Sequence, residues 1–280
     1  MMDTRGLFSS LFKERIPTED EYLNNEDGLI YCRKCNTPRQ AKIMPNGSPI
    51  PFFPPIMCQC QRQQYEREEQ ERLQRQFDDE VSKMRTSGLQ DRALYTYTFS
   101  NDRGYTPQIN IAKRYVEHFD EMEENGTGLL FWGQVGSGKT FLAGCIANAL
   151  LDKRIPVLMT NFSRVLNRLS SKVTDDWNAL LDSFDRYRLL IIDDLGVERN
   201  SEFAMEQIFN VVDARCQSKR PMIITTNLTL HSMKEAQDLA HARIYDRILE
   251  HCLPVCVTGD KIRKRIATEN MAALRSVLGD

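Results

Sequence analysis

The stretch Gly128–Thr140, which reads GLLFWGQVGSGKT, decides the fold. A short apolar strand pattern runs into a glycine-rich turn, and a helical pattern follows at once. Small residues let backbone N–H groups wrap a phosphate at a helix N-terminus, while Lys139 can reach the β- and γ-phosphates and Thr140 can bind Mg²⁺. We therefore predict a nucleotide site, with an unliganded turn as the alternative. The predicted nucleotide-binding residues are Gly133, Gln134, Val135, Gly136, Ser137, Gly138, Lys139, Thr140 and Phe141.

Two other apolar strand patterns end in polar residues. RLLIIDD ends in Asp193 and Asp194, adjacent carboxylates that a buried strand does not need. Beside a phosphate loop they predict a Walker B element, in which Asp193 holds Mg²⁺ and Asp194 polarises the attacking water. A plain strand end is the alternative. PMIITTN ends in Asn227, which either orients the γ-phosphate or the water, or caps the following helix.

The chain has three parts by composition. Residues 1–62 are rich in loops and carry four cysteines, and residues 63–94 are predicted to form a charged helical spacer. From residue 95 to 280, strand patterns alternate with helical ones, which predicts an α/β domain with a parallel sheet. One of its helices is expected to run from Pro107 to about Asn125.

Composition limits the function classes. The 280 residues carry a net charge of −2, so binding to nucleic acid would need a local basic patch. No apolar run approaches eighteen residues, and the N-terminus lacks the pattern of a signal peptide. We expect a cytoplasmic protein with no membrane contact, in which cysteines are reduced.

Two close pairs of cysteines lie near the start of the chain. Cys32 and Cys35 are followed, after twenty-two residues, by Cys58 and Cys60, a set that suits tetrahedral Zn²⁺. The segment has few apolar residues, so a metal would supply its folding free energy. A redox pair and inert thiols are the alternatives, but the redox motif belongs in a βαβ context that is missing here. The remaining cysteines are predicted core residues: Cys145, Cys216, Cys252 and Cys256.

Four arginines near the C-terminus are candidate phosphate ligands. Arg243 and Arg247 lie four apart on one helical face, as surface charges or as groups supplied to a neighbouring subunit's nucleotide. Arg263 and Arg265 could contact phosphate within the same subunit.

The motifs together resemble the bacterial and phage helicase-loader ATPases of the DnaC/DnaI type, relatives of the DnaA initiator and the IstB transposition helper. The segments that carry the resemblance are GLLFWGQVGSGKTFLAGCIANALL, RLLIIDDLGVE, PMIITTNLTL, RIYDRILEHC and TGDKIRKR, and it covers about residues 95–270. It implies an AAA+ P-loop αβα sandwich that works with the replicative hexameric helicase. It further implies that Asn227 is the sensor-1 residue, Arg247 the trans arginine through which subunits associate, and Arg263 or Arg265 a sensor-2-like arginine. Tyr97 and Phe99 match the family's aromatic leader segment.

The chain departs from the wider AAA+ pattern at two points. Asp194 stands where most AAA+ proteins have glutamate, so we expect a slow ATP-gated switch. About twenty residues follow the last strand, too few for the C-terminal lid domain. This favours a loader or an IstB-like helper over an initiator.

The resemblance also suggests partners. Arg164, Arg168 and Lys172 lie at i, i+4 and i+8, where a basic helical face could follow single-stranded DNA or simply be solvated. The cysteine module resembles those that dock loaders onto the helicase. Two other functions remain open: an IstB-type transposition helper, and an adaptor that uses nucleotide only as a switch.

Overall fold

The computed structural model describes residues 16–44, 51–170, 177–196, 201–259 and 262–278. The chain divides into two compact units between Asp78 and Asp79, inside the long helix α1 (Gln59–Gly88). The residues of the expected charged spacer are thus helical up to Gly88. The predicted domain limits at residues 62 and 94 stay a prediction.

The N-terminal unit has a very small core. Strands β1 (Glu21–Leu23) and β2 (Ile30–Cys32) pair antiparallel. Ile30, Cys32 and Cys58 are its buried hydrophobic residues among those described. Burial of so little apolar surface does not offset the entropy of ordering the chain, so this unit needs a further source of stability.

The second unit is built on a parallel sheet of five strands, which confirms the predicted α/β class. The strands are β3 (Gly128–Trp132), β4 (Val157–Asn161), β5 (Leu189–Leu195), β6 (Met222–Thr226) and β7 (Cys252–Cys256). They lie in the order β4-β5-β6-β3-β7. The carboxyl ends of β5, β6 and β3 are therefore neighbours, where α/β sheets place their ligand sites.

Helices cover both faces of the sheet. They are α2 (Ile109–Glu117), α3 (Phe119–Glu124), α4 (Lys139–Asp152), α5 (Phe162–Ser170), α6 (Trp177–Phe184), α7 (Glu202–Gln217), α8 (Leu230–Lys234), α9 (Leu239–His251) and α10 (Ile262–Leu278). Leu129 and Phe131 pack in one core cluster with α4, whereas Leu130 packs in a second cluster with α7 and α9. Alternate residues of β3 thus face opposite sides, and the unit is a three-layer αβα sandwich.

The end of α1 packs within the second unit. Gly88 lies so close to β4 that a Cβ would sit 2.0 Å from the Val157 carbonyl oxygen. Arg85 pairs with Asp152 at 2.5 Å, and Val81 is buried. The expected solvated spacer is therefore in contact with the sandwich over its last turns.

Two expectations are wrong in detail. The helix expected from Pro107 to Asn125 is interrupted at His118, where φ is −103° and ψ is 25°. The break gives α2 and α3, and Phe119 after it is 2% exposed. Cys145, Cys216 and Cys252 are buried as expected, but Cys256 is exposed because it ends β7, an edge strand.

Candidate nucleotide site and cysteine cluster

The glycine-rich loop joins β3 to α4 in a conformation that requires glycine. Gly138 has φ of 104° and stands directly before α4, and Gly133 has φ of 144°. A Cβ on Gly133 would lie 2.5 Å from the Val257 carbonyl oxygen. Glycine at these positions lets the loop turn sharply and present the N-terminus of α4, which favours an anion.

Lys139 joins the loop to the end of β6. Its Nζ donates to the carbonyl oxygens of Gly133 and Gln134 at 3.0 and 2.9 Å, and to Asn227 Oδ1 at 2.8 Å. The lysine is only 5% exposed. The alternative role of Asn227 as a cap does not hold, because the side chain of Thr229 caps α8.

The Asp193 carboxylate lies at the centre of a group of oxygen atoms. Its Oδ1 accepts hydrogen bonds from Thr140 Oγ1 at 3.0 Å and Thr225 Oγ1 at 2.6 Å. Burial raises the pKa of this carboxyl. Oxygen donors of this kind fit Mg²⁺, and the two predicted Mg²⁺ ligands, Thr140 and Asp193, are in contact.

Asp194 has a strained backbone. Its φ is 58°, in the left-handed region that residues other than glycine rarely adopt. Its backbone N–H donates to Thr225 Oγ1 at 2.9 Å, and the strand register shifts between Ile192 and Leu195. This bulge separates Asp194 from Asp193, so that Asp194 lines the cavity described next.

A cavity of about 600 Å³ opens over the loop, large enough for a nucleotide. Its walls include the loop and the strand ends: Val135, Gly136, Gly138, Lys139, Thr140, Phe141, Asp194 and Asn227. Gly133, Gln134 and Ser137 do not line it, although Gly133 and Gln134 hold the lysine.

Most residues in the far wall of the cavity were not predicted as site residues from the sequence. This wall comes from the segment Thr96–Thr106 and from Ile262. Tyr97 lines it as the resemblance suggested, with its ring 5.5 Å from that of Phe141. Phe99 does not line it and packs against the core instead. The run of aromatic and polar residues in TYTFSNDRGYT was the available signal.

The candidate arginines differ in their surroundings. Arg247 is half-exposed and pairs with Asp213 and Glu250, both at 3.1 Å, and Arg243 lies over the Phe209 ring at 4.2 Å. Arg265 lies 4.0 Å over the ring of Tyr105, a residue of the cavity wall. Arg263 belongs to α10, but its side chain lies outside the described residues.

The basic face is described only at its start. Arg164 is exposed near the beginning of α5, with its Nη1 3.3 Å from Gln90 Oε1. The side chain of Arg168 and the whole of Lys172 lie outside the described residues.

The four predicted zinc ligands, Cys32, Cys35, Cys58 and Cys60, come together in the N-terminal unit. Their sulfur atoms all lie within 4.8 Å of one another. Cys60 Sγ is 3.6 Å from Cys32 Sγ and 3.3 Å from Cys58 Sγ. Tetrahedral zinc with four thiolates needs sulfur separations of about 3.8 Å, so the cluster fits Zn²⁺. No other group of this kind is found within the described ranges.

Polar neighbours support the cysteine cluster. Arg39 Nη2 is 3.8 Å from Cys32 Sγ, while its Nη1 pairs with the buried Glu21 at 2.9 Å. Thr37 Oγ1 lies 3.0 Å from Cys35 Sγ, and its hydrogen bond, together with one from the Cys60 backbone, lowers the pKa of that thiol to about 5. Donors that stabilise thiolates and hold them in place are typical of metal sites.

Within the ranges that the structure covers, no helix combines the length and apolar character that crossing a bilayer requires.

Known proteins resemble this chain over part of its length. The chain is 32% identical over 167 residues to the replicative helicase loader DnaC of Escherichia coli K12, a match that covers 58% of this chain and 66% of the relative. It is 34% identical over 178 residues to a protein of Bacillus thuringiensis subsp. berliner that is described as an ATP-binding protein of insertion sequence IS232; this match covers 60% of this chain and 69% of the relative.

A solved structure and a protein-family model also match this chain. The crystal structure of DnaI matches with a TM-score of 0.51 and 26% identity, over 61% of this chain and 93% of that one. This likeness confirms the AAA+ fold class. Residues 62–270 match the family described as IstB-like ATP binding protein. The chain therefore belongs to the IstB-like ATP-binding protein family.

Proposed function

We propose that this protein is an ATP-dependent helicase loader, which binds the replicative hexameric DNA helicase and delivers it to single-stranded DNA during replication initiation or restart. The 32% identity to the loader DnaC is the observation that carries the proposal, and the likeness to DnaI supports it. A loader works on cytoplasmic DNA, so we propose that location too.

The site chemistry suits slow ATP hydrolysis. Lys139 would bind the β- and γ-phosphates. Asn227, which accepts a hydrogen bond from Lys139, would orient the γ-phosphate or the water. Mg²⁺ bound by Thr140 and Asp193 would neutralise phosphate charge. Asp194 lines the same cavity and would polarise the attacking water, with one methylene less reach than glutamate.

Arginines complete the proposed site. Arg247 is on the surface, where it could reach a neighbouring subunit's nucleotide once its pairs with Asp213 and Glu250 are exchanged for phosphate. Arg263 and Arg265 lie on α10, whose first residue, Ile262, lines the cavity. They remain our candidates for a sensor within the same subunit.

We assign binding of the helicase to the N-terminal unit, which would fold around Zn²⁺. This unit exposes large apolar side chains, each about half accessible: Leu23, Ile43, Met44 and Met57. We take these side chains as the proposed contact surface, because contiguous exposed apolar patches mark protein–protein contacts.

Nucleotide-sensitive capture of the helicase tests the proposal. Immobilised full-length protein is mixed with the purified host hexameric helicase in the presence of ATP, ADP or no nucleotide. We expect stable capture whose extent changes with the nucleotide, because Arg247 would meet the γ-phosphate of a neighbouring subunit only when ATP is bound. Equal and negligible capture under all three conditions would contradict the loader function.

A transposition helper is the second candidate. The 34% identity to the insertion-sequence protein favours it, as does the family itself. Under this alternative a transposase, and not the helicase, is captured in the same assay. An adaptor that uses nucleotide only as a switch would capture its partner with ATP but hydrolyse none.

We assign single-stranded DNA binding to the predicted basic face, which begins at Arg164 in α5. Replacing Arg164, Arg168 and Lys172 together by alanine is expected to weaken binding of a single-stranded oligonucleotide by about tenfold or more. The slope of log affinity against log salt should shrink by about 2, because about three phosphate contacts are lost. Fluorescence anisotropy at several salt concentrations measures both quantities.

The matched control removes three exposed arginines of α1, Arg67, Arg72 and Arg75, by the same substitution. It should leave the affinity and the salt slope near those of the unchanged protein. Equal losses in the two triple variants would mean that charge in general, and not this face, binds DNA.

A further inference from the structure

The cavity has two chemically different ends. In the proposed ATP site, Lys139 and the glycine loop would bind the phosphates at one end of the cavity. The nucleoside would then lie toward the other wall, Thr96–Thr106. This wall is a loop with two short 3₁₀ helices, Arg92–Thr96 and Phe99–Asn101, and it needs an anchor to keep a fixed shape.

Asn148, in the helix that follows the phosphate loop, is that anchor. Its Nδ2 donates to the carbonyl oxygens of Leu94 at 2.8 Å and Tyr97 at 3.0 Å, and to that of Gly144 in its own helix at 3.0 Å. All three partners are acceptors, so the amide nitrogen faces them, and its two hydrogens are shared among the three carbonyl oxygens. The side chain is 1% exposed.

Three features around Asn148 support its role in holding the wall. Its Oδ1 is buried without a hydrogen-bond partner, which an apolar residue would avoid. One turn earlier, Gly144 leaves space for the Tyr97 side chain, since a Cβ there would lie 2.7 Å from Tyr97 Cδ2. Phe141, a further turn back, meets the Tyr97 ring at 5.5 Å. One face of α4 therefore fixes both the backbone and the ring of Tyr97.

We propose that Asn148 is a positioning residue for the nucleoside end of the ATP site. Asn148 does not line the cavity, so it would act through its neighbours and not on the nucleotide itself. It holds Tyr97 and its neighbours against α4, and so links the wall that meets the nucleoside to the helix whose N-terminus meets the phosphates. This inference rests on the proposed ATP site.

The test distinguishes binding of the phosphates from binding of the nucleoside. The full-length variants Asn148→Ala and Asn148→Asp lose the donors, and each is titrated with ATP and with inorganic tripolyphosphate, which needs only the phosphate loop. We expect ATP binding to weaken by about tenfold, as the loss of one to two net hydrogen bonds implies, with tripolyphosphate binding unchanged. KM for ATP should rise while kcat at saturation stays within about twofold.

Controls cover loss of folding and failure of the site itself. Asn125→Ala removes an exposed asparagine whose amide also donates to a backbone carbonyl, that of Glu121, and should change neither ligand's affinity. Gly144→Ala displaces Tyr97 from the same helix and should reproduce the selective loss of ATP affinity. If ATP affinity is unchanged in the variants, or both ligands weaken equally, the positioning role is wrong. If the unchanged protein binds neither ligand, the proposed ATP site fails, and this inference with it.

Discussion

A Cys58→Ser substitution is expected to remove stoichiometric zinc and to unfold the N-terminal unit while ATP binding is retained. Cys58 Sγ is buried in the four-sulfur cluster, and the unit buries little apolar surface besides. A structural zinc site contributes about 10–16 kcal/mol of apparent binding free energy, far more than such a core can replace. Metal analysis of the purified protein measures the zinc, and limited proteolysis followed by mass spectrometry locates the unfolded segment.

Cys256→Ser is the matched control, since it replaces an exposed cysteine that is outside the cluster. It should keep full zinc content and the same protease resistance as the unchanged protein. A chelator added to the unchanged protein should reproduce the Cys58→Ser digestion pattern. A zinc-free preparation that resists protease as well as the zinc-bound one would end the zinc proposal.

Replacing Lys139 by alanine is expected to weaken ATP binding by about 100-fold or more and to abolish hydrolysis. The lysine is nearly buried at the floor of the cavity, where its charge is screened little by solvent. Removing one partner of such a charged, hydrogen-bonded pair costs about 3–5 kcal/mol. Isothermal titration with ATP and a phosphate-release assay measure the two effects.

Lys139 also donates hydrogen bonds to Asn227 and to two loop carbonyls, so the fold of the variant must be checked by its melting temperature. Lys234→Ala, at an exposed position in α8, should leave ATP binding and hydrolysis unchanged. An Lys139→Ala protein that is folded and binds ATP within about threefold of the unchanged protein would contradict the assignment of this cavity.

Local sequence was sufficient for the phosphate loop and the strands. The strand Gly128–Trp132, the glycine turn and the helix from Lys139 are contiguous, so hydrophobic pattern and backbone requirements predict them together. The break at His118 was missed, because the periodic pattern continues across it. The exposure of Cys256 was missed as well, because the strand order that puts β7 at the edge is not a local property.

The sequence by itself determined the chemistry at each strand end: Lys139 and Thr140 after β3, Asp193 and Asp194 at β5, and Asn227 after β6. Only the tertiary structure decided how these groups meet, since Lys139 and Asn227 are 88 residues apart in the chain. The nucleoside wall and its anchor Asn148 also depend on contacts more than fifty residues apart. Hydrogen bonds of such range leave no periodic trace in a sequence, because they depend on which elements the fold makes neighbours.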